Sequence, residues 1–305
     1  MKKTIITIVV IVVLIALYFI GKSFSSPASV VESPAPSTTE TGNPTASTTT
    51  QNVVPTNGSA VVIGQSIEGR DITAYHFGSG KNEILFVGGI HGGYEWNTAL
   101  VAYQLIDYLK SNPTAITPGV RVTVIPVLNP DGLNKVVGTT TGKFTKADVS
   151  TDTATVVAGR FNGDDVDLNR NFDCDWKSTG VWQNTTVSGG SSAFSEPESR
   201  AIKNYVEMNN PVAVIVWYSA AGGVYASNCH NGVSALTSTL MNTFATGSGY
   251  PAYDSFDFYA TTGDMTNWLA KNNIPAISVL LTNHSDTEWS KNKAGIQAVI
   301  NAYSK

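Results

Sequence analysis

Residues 88–98 read GGIHGGYEWNT and decide how the rest of the chain is interpreted. An apolar run of strand type precedes them at 84–87, and residues 96–110 carry apolar side chains at helical spacing. His91 and Glu95 therefore lie on the turn that leaves a strand and opens a helix. In α/β proteins that turn is at the carboxyl edge of the sheet, where sites are commonly built. Imidazole nitrogen and carboxylate oxygen both suit zinc, so the stretch indicates either a metal site or a glycine-rich turn with a capping carboxylate.

Strand-type and helix-type segments alternate along the remaining sequence. We predict two strands within 61–77, further strands at 120–127, 211–217 and 274–281, and helices at 196–208, 233–246 and 290–303. This alternation predicts an α/β fold with a mixed, mainly parallel central sheet flanked by helices. The turn signal at 129–132 leads into 133–165, which is polar, rich in glycine and threonine, and predicted to be a long irregular excursion.

Composition favours one large globular domain with additional segments. The chain has 305 residues, of which 42% are hydrophobic and 14% charged, and a formal net charge of −4. There is no basic stripe, so the sequence offers no sign of nucleic-acid binding.

The N-terminal 59 residues are predicted to lie outside the folded domain. Residues 1–22 join a positive start to an almost wholly apolar run, typical of an uncleaved membrane anchor or, alternatively, a cleaved secretory signal. Residues 23–59 are rich in serine, threonine and proline and predict a disordered stalk. The domain, 60–305, is then expected on the extracellular side of a single-pass cell-membrane protein, or secreted if the segment is cleaved.

Two cysteines fall in the predicted domain, Cys174 and Cys229. In an oxidising compartment an even pair suggests one disulfide. Two free buried thiols are the alternative.

Seven motifs occur in an order that carries a family resemblance. They are GxSxxGR at 64–70, His91 with Glu95, NPDG at 129–132, DLNRNF at 167–172, FSEPE at 194–198, SAAGGVY at 219–225, and Gly263-Asp264 with Trp268. With these motifs the chain, from about residue 64 onward, resembles the zinc carboxypeptidase family, the carboxypeptidase A-like metallopeptidases. The resemblance implies removal of a C-terminal residue from a peptide by a zinc-bound water, with a glutamate on a late strand as general base.

The resemblance implies that His91 and Glu95 bind zinc together with a later histidine. The sequence departs from the family at three points of this machinery. His91 and Glu95 are separated by one residue more than in the family, which a Gly-Gly turn can absorb. Tyr218 stands where the third zinc ligand is expected, and Leu280 stands where the catalytic glutamate is expected.

The substrate-holding residues match the family better. Asn169 and Arg170 correspond to the pair that binds the free carboxylate of the substrate, a group that arginine can grip with two parallel hydrogen bonds. Arg160 corresponds to the arginine that steadies the oxyanion, and Tyr259 to the tyrosine that closes over the substrate. The alternatives are a structural ion pair of Arg170 with Asp167, and aromatic packing for Tyr259.

Other side chains could in principle complete the incomplete site. His284 and His230 both follow strands at the edge where the site is expected, and Asp286 or Glu288 could serve as base. The alternative is that both are surface-loop histidines.

Two functions remain open on the sequence alone. The chain is either a divergent metallocarboxypeptidase that hydrolyses the last peptide bond if zinc is held, or a pseudoenzyme that binds a C-terminus without cutting it. The expected partner is a peptide or a peptidoglycan stem-peptide C-terminus, and the membrane through the N-terminal segment. Thr266 lies in the segment that shapes the side-chain pocket in the family and offers no charge for basic residues.

Overall fold

The structure, a computed structural model, describes residues 58–304. The anchor or signal predicted at 1–22 and nearly all of the stalk predicted at 23–59 lie outside the described residues. None of the helices found within 58–304 is both long enough and apolar enough to cross a membrane.

Strands and helices alternate through the described part of the chain. The strands are β1 (Ser59–Gln65), β2 (Asp71–Gly78), β3 (Asn82–Val87), β4 (Val120–Ile125), β5 (Thr179–Trp182), β6 (Thr185–Ser188), β7 (Ala213–Ser219), β8 (Gly223–Ala226), β9 (Ala252–Tyr253) and β10 (Ala276–Leu281). The helices are α1 (Trp96–Ser111), α2 (Pro130–Val137), α3 (Thr153–Ala158), α4 (Pro197–Asn209), α5 (Ala235–Ser248), α6 (Met265–Lys271) and α7 (Trp289–Ala302).

Eight strands form one sheet in the order β1-β2-β4-β3-β7-β10-β8-β9. The four central strands, β4, β3, β7 and β10, are mutually parallel, and antiparallel pairings join β1, β2 and β8 to them at the two sides. The predicted mixed, mainly parallel sheet flanked by helices is confirmed. Its central strands are near-continuous apolar runs because both faces of the sheet are covered by helices.

The two faces of the sheet build two separate parts of the core. On one face α1, α5 and α7 pack against side chains such as Phe86 and Trp217. On the other, α4 and α6 pack against alternate residues of the same strands, among them Tyr218 and Leu280. Because side chains alternate along a strand, Trp217 and Tyr218 point to opposite faces. The second face is the one that carries the candidate site.

The predicted irregular excursion at 133–165 is wrong in part. Asn129 caps α2 by accepting a hydrogen bond from the Gly132 backbone N–H, and Pro130 stands at the first helical position. The NPDG motif is thus a helix start, because proline suits the first turn of a helix as well as a tight turn. Asp152 caps α3 in the same region. Helix α4 begins one residue later than predicted, with Glu196 at the N-cap position.

The predicted disulfide between Cys174 and Cys229 is confirmed. It joins the loop that follows Arg170 to the loop that follows β8, with 6.2 Å between the two Cα atoms. The second loop borders the cavity described next through Asn228, and the first begins directly after Arg170, which also lines it.

Candidate functional site

A cavity of about 200 Å³ lies at the carboxyl ends of β7 and β10. The six residues predicted to form a site all line it, together with the two residues that depart from the family pattern: His91, Glu95, Arg160, Asn169, Arg170, Tyr259, Tyr218 and Leu280. The structure therefore brings together residues that are spread over positions 91–280 of the sequence. What each of them does stays a prediction.

The turn after β3 places His91 against Glu95 in spite of the extra residue between them. Gly92 has a φ of +45°, and a Cβ added there would lie 2.6 Å from the Gly159 carbonyl oxygen. A residue with a side chain would be strained at this position, so glycine allows the tighter path. His91 Nδ1 lies 3.0 Å from Glu95 Oε1, although without hydrogen-bond geometry.

Asp167 stands behind His91, away from Glu95. Its Oδ1 atom lies 3.4 Å from His91 Nε2, the arrangement in which a carboxylate orients a metal-binding histidine. Burial by itself would raise the pKa of Asp167, but the Arg160 guanidinium, with His91 and Arg170, lowers that pKa well below its usual range. Asp167 is therefore a fixed negative charge beneath the site.

Arg160 is held by Asp167 rather than left free to move. Its Nε donates to Asp167 Oδ2 at 3.0 Å, and its guanidinium carbon lies 4.5 Å from the centre of the Trp182 ring. The distance from Arg160 to the Glu95 carboxylate is longer, 3.8 Å. The alternative in which Asp167 pairs with Arg170 is thus not realised, because Arg160 takes that carboxylate.

The two departures from the family pattern leave a zinc ion without a complete set of ligands. Burial, with the nearby Asp264 and Glu95 carboxylates, raises the pKa of Tyr218 well above its usual value, so the phenol stays protonated and unsuited to zinc. Leu280 is buried and offers no proton acceptor. Among the described residues, no cluster of three or more His, Cys, Asp and Glu side chains could hold a metal ion. The residues present do not fit zinc.

Completion of the site by other side chains, which the sequence left open, finds no support in the contacts of the residues that were considered. His284 Nδ1 lies 3.1 Å from Ser219 Oγ and its ring packs on Tyr94, so it supports the rim. His230 is mostly exposed and pairs with Asp175 at 2.8 Å. Asp286 bonds Asn283, and Glu288 bonds Thr282, Tyr250 and Lys291, so neither carboxylate lines the cavity.

Arg170 is buried, and no carboxylate of the described residues lies within ion-pair distance of it. Its two terminal nitrogens donate to the backbone carbonyls of Asn169 and Val181, each at 2.7 Å. Its Nε makes no hydrogen bond with any described residue. The group lines the cavity and its hydrogen bonds go to neutral acceptors, while the Asp167 carboxylate acts on its charge without direct contact.

Asn169 is oriented by the segment that begins α6. Its Nδ2 donates to Asp264 Oδ2 at 2.8 Å, and its Oδ1 accepts from the Met265 backbone N–H at 3.0 Å and from the Tyr218 hydroxyl at 3.3 Å. Asn169 and Arg170 are therefore held side by side in one fixed orientation. The name carboxylate clamp is used below for these two residues.

Tyr259 covers Arg170 and also packs among aromatic side chains. Its ring centre lies 5.8 Å from the Arg170 guanidinium carbon and 5.0 Å from the centre of the Phe256 ring. Burial raises the pKa of Tyr259, so it stays a neutral hydrogen-bond donor at neutral pH. The cover and the packing interpretations are both compatible with these contacts.

The sequence alone did not predict the roles of three residues that shape the site. Asp167 lies beside His91 and fixes Arg160, Asp264 orients Asn169, and Trp182 stacks on Arg160. The first two lie inside motifs that the sequence displays, two residues before Asn169 and directly after Gly263. Trp182 lies in the β5–β6 hairpin, for which the sequence gives no motif.

Comparison with known proteins agrees with the fold. The sequence model of the family described as zinc carboxypeptidase matches residues 48–298. A zinc carboxypeptidase of Simulium vittatum is 24% identical over 229 residues, covering 68% of this chain and 72% of that protein. The bacteriocin BCN5 of Clostridium perfringens is 30% identical over 156 residues, half of this chain but only 15% of that much longer protein.

Solved structures show the same fold at low sequence identity. The murein-tripeptide amidase MpaA of Escherichia coli O157 superposes with a TM-score of 0.58 and 19% identity, covering 83% of this chain and 94% of that chain. Carboxypeptidase A of Helicoverpa armigera superposes with a TM-score of 0.63 and 18% identity, covering 81% and 68%. The chain belongs to the zinc carboxypeptidase family.

Proposed function

We propose that this chain binds the free carboxylate of a peptide C-terminus in the cavity and does not hydrolyse the peptide. The carboxylate clamp would receive the carboxylate, while the part of the cavity around His91 and Glu95 has lost the groups that perform the family's chemistry. The chain would thus keep the carboxylate-binding function of the family and lack its hydrolytic function.

The observation that carries the proposal is the unbalanced charge of Arg170. The hydrogen bonds of this buried guanidinium go only to carbonyl oxygens, and the Asp167 carboxylate that acts on its charge is bound directly by Arg160. Arg170 thus loses its hydration without a counter-ion in direct contact, which is unfavourable. A ligand carboxylate would supply that counter-ion through charge-assisted hydrogen bonds, with the bare Nε as one donor. The second hydrogen of Asn169 Nδ2 offers a further donor.

The substitutions at Tyr218 and Leu280 support the non-catalytic half of the proposal. A general acid or base typically contributes about 10²- to 10⁴-fold to a rate, and Leu280 can supply none of it. Zinc would supply the Lewis acid and the activated water, but the third ligand needed to hold it is a protonated phenol. Hydrolysis if zinc is nevertheless held is the second candidate, and the retained His91–Asp167 pairing favours it.

We further propose that the domain lies outside the cell membrane and meets peptides or cell-wall stem peptides there. The apolar segment at 1–22 supports the membrane attachment. The Cys174–Cys229 disulfide is of the kind that persists in oxidising compartments. The fold similarity to a murein-tripeptide amidase makes stem peptides a reasonable class to test. If a protease added to intact expressing cells leaves the domain uncut, the external location is refuted.

Calorimetry with a matched pair of ligands tests the binding function. An N-acetylated dipeptide with a free C-terminal carboxylate should bind the wild-type chain, and its C-terminal amide should bind at least about 30-fold more weakly. Arg170→Gln should abolish that preference. Arg200→Gln is the matched control, because Arg200 also donates to backbone carbonyls but is exposed and far along the sequence from the clamp. Equal binding of acid and amide by the wild type would refute the clamp.

A further inference from the structure

We propose that the preferred ligand is a zwitterionic free amino acid, with its ammonium group on Glu95 Oε2 and its carboxylate on the clamp. This inference rests on the proposed function, since it assigns the clamp the same carboxylate. It adds a second recognition point in the part of the cavity that fails to fit zinc.

Glu95 carries an oxygen atom that no described residue satisfies. The side chain is 3% exposed and lines the cavity. Its Oε1 faces His91 Nδ1 at 3.0 Å and Arg160 at 3.8 Å. Its Oε2 has no hydrogen-bond partner within residues 58–304. A buried carboxylate oxygen left in this state is costly, so a donor from a ligand would be favourable there.

The neighbouring cation cannot supply that donor. The Nε and a terminal nitrogen of Arg160 lie 3.0 and 2.8 Å from Asp167 Oδ2, and the guanidinium plane is fixed against Trp182. Moving Arg160 to Glu95 would leave Asp167, which is wholly buried, without its principal counter-ion. Oε2 therefore remains available to a group that enters through the cavity.

The Oε2 atom of Glu95 is a buried hydrogen-bond acceptor on a carboxylate, so a compact cation that donates hydrogen bonds suits it. In a zinc-binding relative the ion would balance the glutamate, but Tyr218 leaves this chain one ligand short. An ammonium group needs no set of three protein ligands, carries one positive charge and offers three donors in different directions. It can thus serve Oε2 where a metal ion cannot be held.

The size and the charges of the cavity fit a single amino acid. At about 200 Å³ it is smaller than the roughly 300–1,000 Å³ typical of pockets for drug-sized ligands. Its lining includes a carboxylate oxygen of Glu95 and the Nε atom of Arg170, neither of which has a hydrogen bond to a described residue; the same holds for both ring nitrogens of His91 and for a terminal nitrogen of Arg160, which lies 2.8 Å from Asp167 Oδ2. The hydroxyls of Thr266 and Ser278, 3.2 Å apart, also line it and suit a small uncharged side chain.

Calorimetry on the full chain in a chelator tests this inference with named probes. L-alanine, L-threonine and L-asparagine are each compared with the N-acetyl amino acid and with the amino-acid amide. We expect the best free amino acid to bind at least about ten-fold more tightly than its N-acetyl form, because acetylation removes the charge that meets Oε2. Glu95→Gln should erase this difference while leaving the N-acetyl form bound. Glu207→Gln, an exposed substitution, is the matched control.

The possible outcomes separate the two proposals. If N-acetyl forms bind as tightly as free amino acids, or if no free amino acid binds, this inference is overturned. If amides bind as tightly as the corresponding acids, the clamp itself is refuted. The comparison of free and N-acetylated amino acids on the wild-type chain tests the inference even if Glu95→Gln fails to fold. Stoichiometric zinc in the native chain would also overturn the inference, since the ion would occupy the position given to the ammonium group.

Discussion

The two sides of the cavity differ in how far their polar groups are satisfied by the protein. On the substrate side, formed by Asn169 and Arg170, hydrogen bonds with Asp264 and with the Met265 backbone N–H fix the orientation of the Asn169 amide. The Nε atom of Arg170 has no hydrogen bond to a described residue. On the metal side, both ring nitrogens of His91 and one oxygen of Glu95 lack hydrogen bonds to described residues, while Tyr218 and Leu280 add a protonated phenol and an apolar side chain. The contrast shows that both replaced positions lie on one side of the cavity, while the clamp on the other side keeps the hydrogen bonds that orient it.

Different segments support most of each side, but the two sides are in contact, because the Tyr218 hydroxyl donates to Asn169 Oδ1 and Asp167 Oδ1 accepts from the Asn169 backbone N–H. The clamp is fixed by the start of α6, where Gly263 exchanges backbone hydrogen bonds with Phe172 and Cys174. A Cβ on Gly263 would lie 2.2 Å from the Arg170 carbonyl oxygen, so the two segments touch directly. The metal side instead depends on the turn after β3 and on the ends of β7 and β10. A change at Tyr218 therefore removes one contact of Asn169, while the hydrogen bonds of its side chain with Asp264 and with the Met265 backbone N–H remain.

The largest expected effect comes from restoring the metal side. The double variant Tyr218→His, Leu280→Glu should bind zinc and hydrolyse C-terminal peptides at least about 10²-fold faster than the wild type, because it regains a ligand and a general base together. Release of the terminal amino acid measures the rate.

Each single variant is the control for that experiment. Tyr218→His alone should gain zinc without full activity, and Leu280→Glu alone should gain neither. If the double variant binds zinc and still hydrolyses nothing, the assignment of these two positions is mistaken.

The second-largest effect is expected from removing the charge of Asp167, which lies beside His91 and pairs with Arg160. Asp167→Asn should lower the free energy of unfolding at pH 7 by about 3–5 kcal/mol, because it leaves the buried Arg160 without its counter-ion. Denaturant unfolding measures the loss. Asp173→Asn is the matched control, since Asp173 is half exposed and its ion pair with Lys271 lies at the surface.

The pH dependence of that difference follows from the lowered pKa of Asp167. A carboxyl group whose folded-state pKa is depressed stabilises the fold fully above its unfolded pKa, about 3.9. That contribution is lost as the pH falls toward the folded-state pKa. The gap between wild type and Asp167→Asn should therefore be constant near neutrality and shrink below about pH 4. A gap that grew on acidification would contradict the assigned ion pair.

The smallest effect is expected on the substrate side. Asp264→Asn should weaken binding of a C-terminal carboxylate by about 3- to 10-fold, because Asn169 loses a charge-assisted hydrogen bond that orients its amide. Calorimetry measures the change. Tighter binding by the variant would instead mean that the Asp264 charge repels the ligand more than its hydrogen bond helps.

The fold and most of the cavity were predictable because their signals are periodic or local. Apolar runs mark the central strands, and the motifs around His91 and Asn169 mark the edge of the sheet where the chain reverses. The absence of a histidine at 218 and a glutamate at 280 is also visible directly. These features need no knowledge of how distant segments pack.

The remaining features depend on tertiary contacts that sequence spacing does not encode. Asp167 was a plausible partner of Arg170, its near neighbour, yet it pairs with Arg160 because of how the loop turns back. His284 lies near the rim but is engaged by Ser219 and Tyr94, which come from two other segments. The helix at 130–137 was missed because proline and asparagine start helices as readily as they form turns.

Zinc content tests the central claim most directly. The full chain would be equilibrated with a modest excess of zinc, freed of unbound metal, and assayed for zinc per chain by elemental analysis, beside the Tyr218→His variant. The account predicts a folded wild-type chain with almost no zinc and a variant that retains it. About one zinc per wild-type chain would contradict the account and make peptide hydrolysis the function to test.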